Sequence, residues 1–537
     1  MRIELAGYNV EVGILERLDA ADKDILTPEI FSSAYARISR SAEDITTLRK
    51  IAGHDVKKAR ASNRTIIFGM GHHSVAEHAV FNFDIIGVSR LALEEIESFR
   101  LASYTEKSQR YVTLKGDYVQ PREITGPGTK DAFSALIGIQ NDFYKKAYAI
   151  LQEYNFKKFP GILEQKGGRR ELQNLAKEDA RYILSLATEG QVGMTINARS
   201  LEHLFRRFFL SKRTEVREIG RKMYDLVYKI APSIFLFAQP SQFEKDLHET
   251  FKNNFSIEVP HNTSLTPKRM KLSKAPLAWG GDKPLRGRVC GAKWLGAPHP
   301  RRRQVAGKGE NKQKFLSNET KIIDYPKNAD DIILASFFAI YNSLDFAEAY
   351  EIAANIDAAG KKRIFLDLFK NMEFFDTPPR QFELPDITFQ AVISASNFAQ
   401  LKRHRIATLI AGDYKIELGN IIPESIRDCG LEGEFREIIE KTDALYLKLK
   451  EEYNEAADYV LTNSHCRMVI MKMNLREVYH FIRLRDDVHT QWEIRHLAGE
   501  ILAKLREIMP YSTMLLCGKS NFVQEYENIY RKGVGPI

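Results

Sequence analysis

Cysteine is scarce in this chain, and its spacing argues against two classes of site. The 537 residues contain four cysteines, Cys290, Cys429, Cys466 and Cys517, and no two of them form a C-x-x-C pair. Structural zinc sites and disulfide-rich domains depend on closely spaced cysteines. We therefore predict no metal site and no disulfide framework, and we interpret the four thiols as buried or incidental.

Long apolar runs are also missing. No run approaches the roughly 18 residues of a membrane span, and residues 1–7, MRIELAG, lack the apolar core of a signal peptide. The hydrophobic fraction of 44% and the charged fraction of 28% are typical of soluble globular proteins. We therefore expect a cytoplasmic protein without membrane contact, and its length predicts two or three domains.

Excess basic charge is absent from most of the chain, although the net charge is +9. Residues 265–315 hold fourteen Lys and Arg against two acidic residues, so this segment alone carries +12 and the remainder about −3. The segment is rich in Gly and Pro, a composition typical of a flexible linker or insertion. It could contact RNA through counterion release, but a solvated linker is the favoured interpretation.

The chain is a tandem repeat. Residues 192–203, VGMTINARSLEH, match residues 469–480, VIMKMNLREVYH, at an offset of 277. An earlier match aligns Arg100 with Arg405 at an offset of 305, so the first copy holds about 28 extra residues, which we place in a surface loop or a longer helix. A period this long indicates duplicated domains. We predict domains at residues 1–238 and 320–537, joined by residues 239–319.

Each copy shows mixed secondary-structure patterning. Residues 80–85 alternate as a strand and residues 91–100 then turn helical, while residues 387–393 and 397–405 repeat this order. Apolar stripes over residues 216–230 and 494–509 predict core-packed helices that end before Pro232 and Pro510. The expected fold class is α+β, with two similar α/β domains in tandem and a basic flexible linker between them.

Several motifs together resemble those of the flavin-dependent thymidylate synthase family. They are GHHSVAEH at residues 71–78, EKSQR at 106–110, RHR at 403–405 and LRDDVHTQWEIR at 484–495. The resemblance implies a homotetramer with active sites between subunits, which transfers a methylene group from methylenetetrahydrofolate to dUMP. It also implies reduction by a hydride from FAD, which NADPH recharges. For this chain we accordingly expect FAD, NADPH and methylenetetrahydrofolate, and a homodimer that forms a pseudo-tetramer.

The resemblance also assigns residues. It implies that the first copy binds the nucleotide through Glu106, Ser108, Gln109, Arg110, Arg181 and Arg207, and contacts the flavin through His72, Ser74 and Glu77. It implies flavin contacts in the second copy at Arg403, His404, Arg405, Asn474, Arg476, His489 and Gln491. Arg485 and Ser108 take the catalytic positions. Arginine suits this role independently, because its guanidinium is a forked donor for phosphates.

The losses in the two copies are largely complementary. At the nucleotide positions the second copy has Ala411, Asp413 and Lys415, and it has Asp458 in place of Arg181. An aspartate there would repel a phosphate, so we expect that the second copy's own pocket does not bind the nucleotide. Conversely, the first copy reads Ser98-Phe-Arg where the second reads Arg-His-Arg. We therefore expect composite sites, with nucleotide contacts from the first half and flavin contacts from the second.

Two alternatives remain open. The chain could be a related flavoenzyme that modifies another pyrimidine, even one in RNA, with the basic segment as a handle. It could also be a degenerate, non-catalytic nucleotide-binding protein. The complementary pattern of loss speaks against the second alternative, because undirected decay would strike the same function in both copies.

Overall fold

The computed structural model describes residues 1–15, 25–38, 41–254 and 320–530. The predicted basic linker at residues 265–315 and Cys290 lie outside these residues, so the predicted domain boundaries at 238 and 320 stay predictions. The described residues up to Lys245 and from Thr320 form one compact unit, and a second unit begins at Asp246, within the last helix before residue 255. None of the helices described has both the length and the apolar character to cross a membrane.

The first half contains four strands and eleven α-helices in the described ranges: β1 (Arg2–Tyr8), α1 (Val12–Leu15), α2 (Glu29–Arg37), α3 (Ile45–His54), α4 (Val56–Asn63), β2 (Val80–Ser89), α5 (Arg90–Glu97), β3 (Ala102–Glu106), α6 (Pro127–Lys158), α7 (Pro160–Leu163), α8 (Gly168–Ala180), β4 (Glu189–Asn197), α9 (Ala198–Leu210), α10 (Thr214–Tyr228) and α11 (Gln242–Asn254). Short 3-10 segments cover His73–His78 and Arg181–Ile183, and a π-helical turn covers Arg64–Gly69.

The second half repeats this order with shorter connections: β5 (Lys321–Asp324), α12 (Ala329–Asn342), α13 (Phe346–Asn355), α14 (Ala358–Phe369), β6 (Asp386–Ser394), α15 (Ala395–Leu401), β7 (Thr408–Tyr414), α16 (Glu424–Asp428), α17 (Glu432–Tyr453), β8 (Cys466–Asn474), α18 (Leu475–Arg485), α19 (Trp492–Ile508) and α20 (Phe522–Tyr530). A 3-10 segment at Asn454–Val460 follows α17. The three cysteines in the described ranges are free.

Each half is built on one antiparallel sheet, and the two sheets have the same topology. The strand orders are β1-β2-β4-β3 and β5-β6-β8-β7. Alternate residues of the central strands, such as Phe81 and Phe83 in β2, point into the core beneath the helices. This architecture confirms the predicted α+β class and the two similar halves in tandem.

The helices after β2 and β6 end earlier than the sequence pattern predicts. Ser89 and Ser394 cap them, accepting hydrogen bonds from the backbone amides of Ala92 and Asn397 at 2.9 and 3.1 Å. The second of these helices stops at Leu401, whose carbonyl accepts a hydrogen bond from the amide of residue 404. The Arg-His-Arg triplet therefore lies in the turn before β7, not on the helix, because the chain must reverse to pair antiparallel with β8.

The extra residues of the first half lie in helices. Helix α6 has 32 residues and its counterpart α17 has 22. After α6 the first half adds α7 and α8, where the second half has only a short 3-10 segment. The insertion is thus a longer helix plus a second helix packed against it.

The halves contact each other through equivalent residues, as expected for a pseudo-two-fold axis. Ser185 pairs with its equivalent Thr462 in an antiparallel bridge. The Tyr182 hydroxyl donates to the Glu493 carboxylate at 2.6 Å, and the equivalent Tyr459 donates back to Glu215 at 2.7 Å. Two apolar clusters contain side chains from both halves. The interface is therefore part of the folded core.

Candidate functional site

The motifs retained by the two halves meet within one chain. Arg403 of the second half lies with its Nη2 3.9 Å from the Glu106 carboxylate of the first half. Arg110 donates a hydrogen bond from Nη2 to the His489 carbonyl at 3.3 Å. Gln109 accepts one from the Asn463 side chain at 3.3 Å. We call the group Glu106, Gln109, Arg110, Arg403 and Arg485 the composite cluster.

A turn at the end of β3 aims the first half's motif at the second half. Strand β3 pairs with β4 as far as Glu106, opposite Val192. The chain then turns, and the Ser108 hydroxyl oxygen accepts a hydrogen bond from the backbone amide of Arg110 at 3.2 Å, as in an ST-turn. This turn carries the following Gln109 and Arg110 toward the second half. The Ser108 hydroxyl proton stays available for a ligand.

The Glu106 carboxylate lies among three cations. Its side chain is 9% exposed, and Arg90, Lys402 and Arg403 approach within 3.6, 3.7 and 3.9 Å. Burial raises the pKa of this carboxyl, but the positive charges of Lys402, Arg90 and Arg403 outweigh it and lower the pKa to about 2. Glu106 is therefore an ionised acceptor, suited to a donor group such as a ribose hydroxyl.

Arg485 is held by a buried, neutral histidine. Its Nε donates to His404 Nε2 at 2.8 Å and its Nη2 to the Gln400 carbonyl at 3.1 Å. Burial, together with Arg485 and His480, lowers the pKa of His404 well below its usual value, which leaves its Nε2 free to accept. Burial and the charges of Arg403 and Arg110 lower the pKa of Arg485 to about 10. Because three guanidinium groups repel one another here, an anionic ligand would be favoured.

Arg110 and Arg181 both contact Glu178, one at its carboxylate and the other at its backbone carbonyl. Arg110 Nε forms an ion pair with the Glu178 carboxylate, and Arg181 Nε donates to the Glu178 carbonyl at 3.3 Å. Arg181 is only 4% exposed, and burial lowers its pKa. A phosphate would compete with Glu178 for Arg110, so the ion pair positions the arginine for exchange with a ligand.

One cavity adjoins the composite cluster through Glu106 and Arg403, and a second cavity neighbours the first. One, of about 340 Å³, is lined by Glu97, Ser103, Tyr104, Thr105, Glu106, Lys402, Arg403 and Arg405. A neighbouring one, of about 400 Å³, shares Ser103 and Arg405 with it and also includes Glu77, Arg100 and Asn197. Ser103 and Arg405 thus form the boundary between the two cavities.

The predicted flavin contacts of the first half lie at or near the second cavity. Glu77 borders it and pairs with Arg199 at 2.5 Å. His72 and Ser74 are exposed at the start of the same 3-10 segment. Of these three residues, Glu77 thus lines the same cavity as Arg405, whereas His72 and Ser74 are not among its lining residues.

The structure gives several predicted flavin residues of the second half other contacts. Asn474 caps α18 at 2.8 Å, and Arg476 binds the Pro378 carbonyl and Glu383 at 2.8 and 2.9 Å. Gln491 is fully buried, caps α19 and donates to the Tyr182 hydroxyl at 2.7 Å. His404 accepts a hydrogen bond from Arg485, and the backbone carbonyl of the exposed His489 accepts one from Arg110. These roles as ligands stay predictions.

The equivalent pocket on the other side of the pseudo-axis is filled by ion pairs. We call it the reciprocal pocket. Arg213 pairs with Asp458 at 2.9 Å and with Glu95 at 3.2 Å, and Lys212 pairs with Asp413 at 2.7 Å. Although burial opposes it, Asp458 and Glu95 raise the pKa of Arg213. A protein cation therefore already occupies the position opposite Asp458.

Of two further arginines of the first half, Arg207 bonds within its own half and Arg100 contacts the second half. Arg207, a predicted nucleotide contact, donates to the Ser98 hydroxyl at 2.9 Å. Arg100 donates to the Ile406 and Ala407 carbonyls at 3.2 and 3.3 Å, and its equivalent Arg405 donates to the Ala102 carbonyl. The structure therefore does not bring Arg207 into contact with the composite cluster through these bonds.

Sequence reasoning missed four charged residues around Glu106 and Arg110. They are Arg90, Glu97, Glu178 and Lys402, which the sequence places on or next to helices with many apolar neighbours. One signal was available, since the offset of 305 aligns Glu97 with Lys402 and so predicts opposite charges facing each other across the pseudo-axis.

The chain is similar to characterised and uncharacterised proteins along most of its length. A flavin-dependent thymidylate synthase from Geobacter sulfurreducens is 34% identical over 215 residues, which cover 40% of this chain and 83% of that protein. A UPF0159 protein from Thermoplasma acidophilum is 22% identical over 511 residues, which cover 88% of this chain and 92% of the relative. Thymidylate synthase X from Helicobacter pylori, solved with FAD and dUMP, matches 44% of this chain and 98% of its own at 19% identity and a TM-score of 0.27.

The model of one protein family, described as thymidylate synthase complementing protein, matches residues 24–233 and again residues 321–511. The first matched region includes three of the four strands of the first sheet, β2, β3 and β4, and the second includes all four strands of the second sheet. This confirms the resemblance inferred from the motifs. The chain therefore belongs to the thymidylate synthase complementing protein family and carries two copies of the family's domain in tandem.

Proposed function

We propose that this chain is an FAD-dependent thymidylate synthase, which converts dUMP to dTMP with methylenetetrahydrofolate as methylene donor and NADPH as reductant. The observation that carries the proposal is the approach of Arg403 to Glu106 at 3.9 Å, because it joins the motifs that the two halves have separately kept. Membership of the family supports the reaction class.

The composite cluster fits an anionic nucleotide and a flavin dinucleotide. Arg110 and Arg181 would bind the nucleotide phosphate together with the Ser108 hydroxyl, while Glu106 would accept a hydrogen bond from the sugar. Arg403 and Arg405 line the 340 Å³ cavity and would hold FAD. When bound, FAD would supply the hydride that reduces the transferred methylene group to a methyl group. Arg485 would stabilise the negative charge that develops on the uracil ring as its C5 attacks the methylene carbon.

Only one such site forms in each chain under this proposal. The reciprocal pocket lacks the counterparts of Glu106 and Arg181 and is filled by the Arg213–Asp458 ion pair. A homodimer, the proposed pseudo-tetramer, would thus carry two sites where a homotetramer of single domains has four. Size-exclusion chromatography with light scattering tests the dimer.

The test combines flavin binding, turnover and a matched pair of variants. Purified protein should show the flavin absorbance band and should convert dUMP in preference to other uridine nucleotides. Arg110→Met should weaken dUMP binding about 10- to 100-fold, because a charge-assisted hydrogen bond contributes about 1.5–3 kcal/mol. Lys415→Met changes the equivalent residue of the reciprocal pocket and should leave binding unchanged.

Three outcomes would separate this proposal from its alternatives. Flavin binding with no turnover of dUMP but turnover of another uridine nucleotide, free or in RNA, would indicate a related flavoenzyme with a different acceptor. Binding of dUMP without FAD and without turnover would indicate a non-catalytic protein. Equal losses in Arg110→Met and Lys415→Met would contradict the composite site.

A further inference from the structure

Glu97 and Lys402 occupy equivalent positions in the two halves and contact each other. Both stand 3 residues before the equivalent Arg100 and Arg405. Lys402 Nζ lies 3.0 Å from Glu97 Oε2, and the two side chains are 1% and 6% exposed. If either half paired with a copy of itself, like charges would meet at this place. The pair is therefore specific to contact between a first and a second half.

The same lysine reaches the predicted ligand-binding carboxylate. Lys402 Nζ is 3.7 Å from Glu106 Oε2, and Glu97, Glu106 and Lys402 all line the 340 Å³ cavity. Lys402 thus bridges an interface residue and a site residue.

The charges that face Glu106 come from two elements. Helix α5 contributes Arg90 and Glu97, and the turn after α15 contributes Lys402 and Arg403. Burial raises the pKa of Glu97, and Glu106 raises it further against the opposing charge of Lys402. Lys402 is the largest favourable influence on ionised Glu106, ahead of Arg90 and Arg403.

We propose that Glu97 and Lys402 are a positioning pair that holds Glu106 ionised and in place at the cavity wall, so that the site forms only where the two halves touch. This inference rests on the proposed function for the identity of the ligand. It requires no contact between the pair and the ligand. Arg403, in contrast, is exposed enough to contact the ligand directly, with 47% of its side chain accessible.

The test replaces Glu97 and Lys402 together, so that neither charge stays buried without its partner. Glu97→Leu combined with Lys402→Met removes both buried charges at similar volume, a replacement that proteins often tolerate. Binding of dUMP to the FAD-loaded protein is measured by calorimetry from about pH 3 to about pH 8, a range over which the wild-type Glu106, with a pKa of about 2, stays ionised. Unlike the wild type, the double variant should lose binding toward the acid end of this range, because Lys402 and the hydrogen bond from Glu97 both lower the pKa of Glu106 in the wild type.

A matched control removes another ion pair between the halves. Lys212→Met with Asp413→Leu deletes the pair in the reciprocal pocket and does not touch Glu106, so its binding profile should match the wild type. An unchanged profile in the Glu97→Leu/Lys402→Met protein would overturn the inference. If that protein does not fold, Glu97→Gln with Lys402→Gln keeps the shapes and takes its place.

A second measurement needs no ligand and so separates this inference from the proposed function. Glu106→Gln is introduced into the wild type and into the Glu97→Leu/Lys402→Met protein. Tm is measured for these two variants and for their two parent proteins. Glu106→Gln should lower Tm less in the Glu97→Leu/Lys402→Met protein than in the wild type. In the wild type the substitution leaves Lys402 without the Glu106 charge, and in the variant that lysine is already absent. Equal drops would overturn the inference. A wild type that binds neither FAD nor dUMP would overturn the proposed function alone.

Discussion

At the scale of single residues, the two pockets differ by charges at equivalent positions. Arg181 on one side corresponds to Asp458 on the other, and Glu106 corresponds to Ala411. Both pockets stand on the same kind of strand and helix, so the backbone does not distinguish them. The buried charge at each position decides whether a pocket has cations to offer a phosphate or is closed by its own ion pair.

Removing only one partner of the Arg213–Asp458 ion pair should destabilise the fold. Arg213→Met leaves Asp458, whose side chain is 2% exposed, without its cation, and should lower the free energy of unfolding by about 3–5 kcal/mol. Adding Asp458→Leu should restore most of this loss. Urea unfolding followed by circular dichroism measures both.

An exposed ion pair provides the comparison. Arg122 pairs with Glu218 while 73% of its side chain stays accessible, so Arg122→Met should cost about 1 kcal/mol or less. If Arg213→Met is no more destabilising than Arg122→Met, the reciprocal pocket is not held closed by its buried pair.

At the scale of elements, both halves place their motifs by the same device, a strand that passes into a capped helix. Asn197 and Asn474 end β4 and β8 and cap the helices that follow, at 2.9 and 2.8 Å. Ser89 and Ser394 do the same for the helices after β2 and β6. Because the cap sets where each helix starts, it also sets where Arg485 and the Arg-His-Arg turn come to lie.

The asparagine cap of α18 can be tested apart from any flavin contact. Asn474→Ala should lower the free energy of unfolding by about 1 kcal/mol, whereas Asn474→Ser should stay within a few tenths because serine also caps helices well. Chemical denaturation measures stability, and a flavin titration of the same proteins measures FAD affinity. Weaker FAD binding in the serine variant at full stability would support the predicted flavin contact.

Asn197→Ala is the matched control for the element. It removes the equivalent cap of α9 and should cost the same about 1 kcal/mol. Alanine variants as stable as the wild type at both positions would refute the capping role.

At the scale of the whole molecule, duplication has turned an interface between equal domains into one between unequal halves. The two hydrogen bonds between the halves, Tyr182–Glu493 and Tyr459–Glu215, are symmetric. The charged residues around them are not, since Glu97 faces Lys402. The symmetric contacts stabilise the pairing of the halves, while the asymmetric ones make the two pockets between the halves unequal.

This arrangement predicts the binding stoichiometry. Calorimetric titration of the FAD-loaded protein with dUMP should give one nucleotide bound per chain, because the reciprocal pocket has Asp458 at the position equivalent to Arg181. Arg110→Met should abolish or strongly weaken that single event. Two equivalent nucleotides per chain would show that the reciprocal pocket also works and would contradict the closed state inferred from its ion pairs.

Local sequence patterns predicted six of the elements and the repeat. Period-two alternation located β2 and β6, apolar stripes located α10 and α19, and the internal match revealed two halves, because these signals arise from neighbouring residues. The ends of α5 and α15 were predicted three and four residues too late. There a turn that must reverse the chain for sheet pairing overrides helical patterning.

The sequence alone determined that this protein is a tandem pair of α+β halves with complementary motifs, since repeats and motif losses are visible along the chain. Only the tertiary structure decided that the surviving motifs meet, that Arg213 fills the other pocket and that Lys402 stands beside Glu106. These contacts join residues more than 200 positions apart in the chain. They depend on how two cores pack about an axis, which no local pattern encodes.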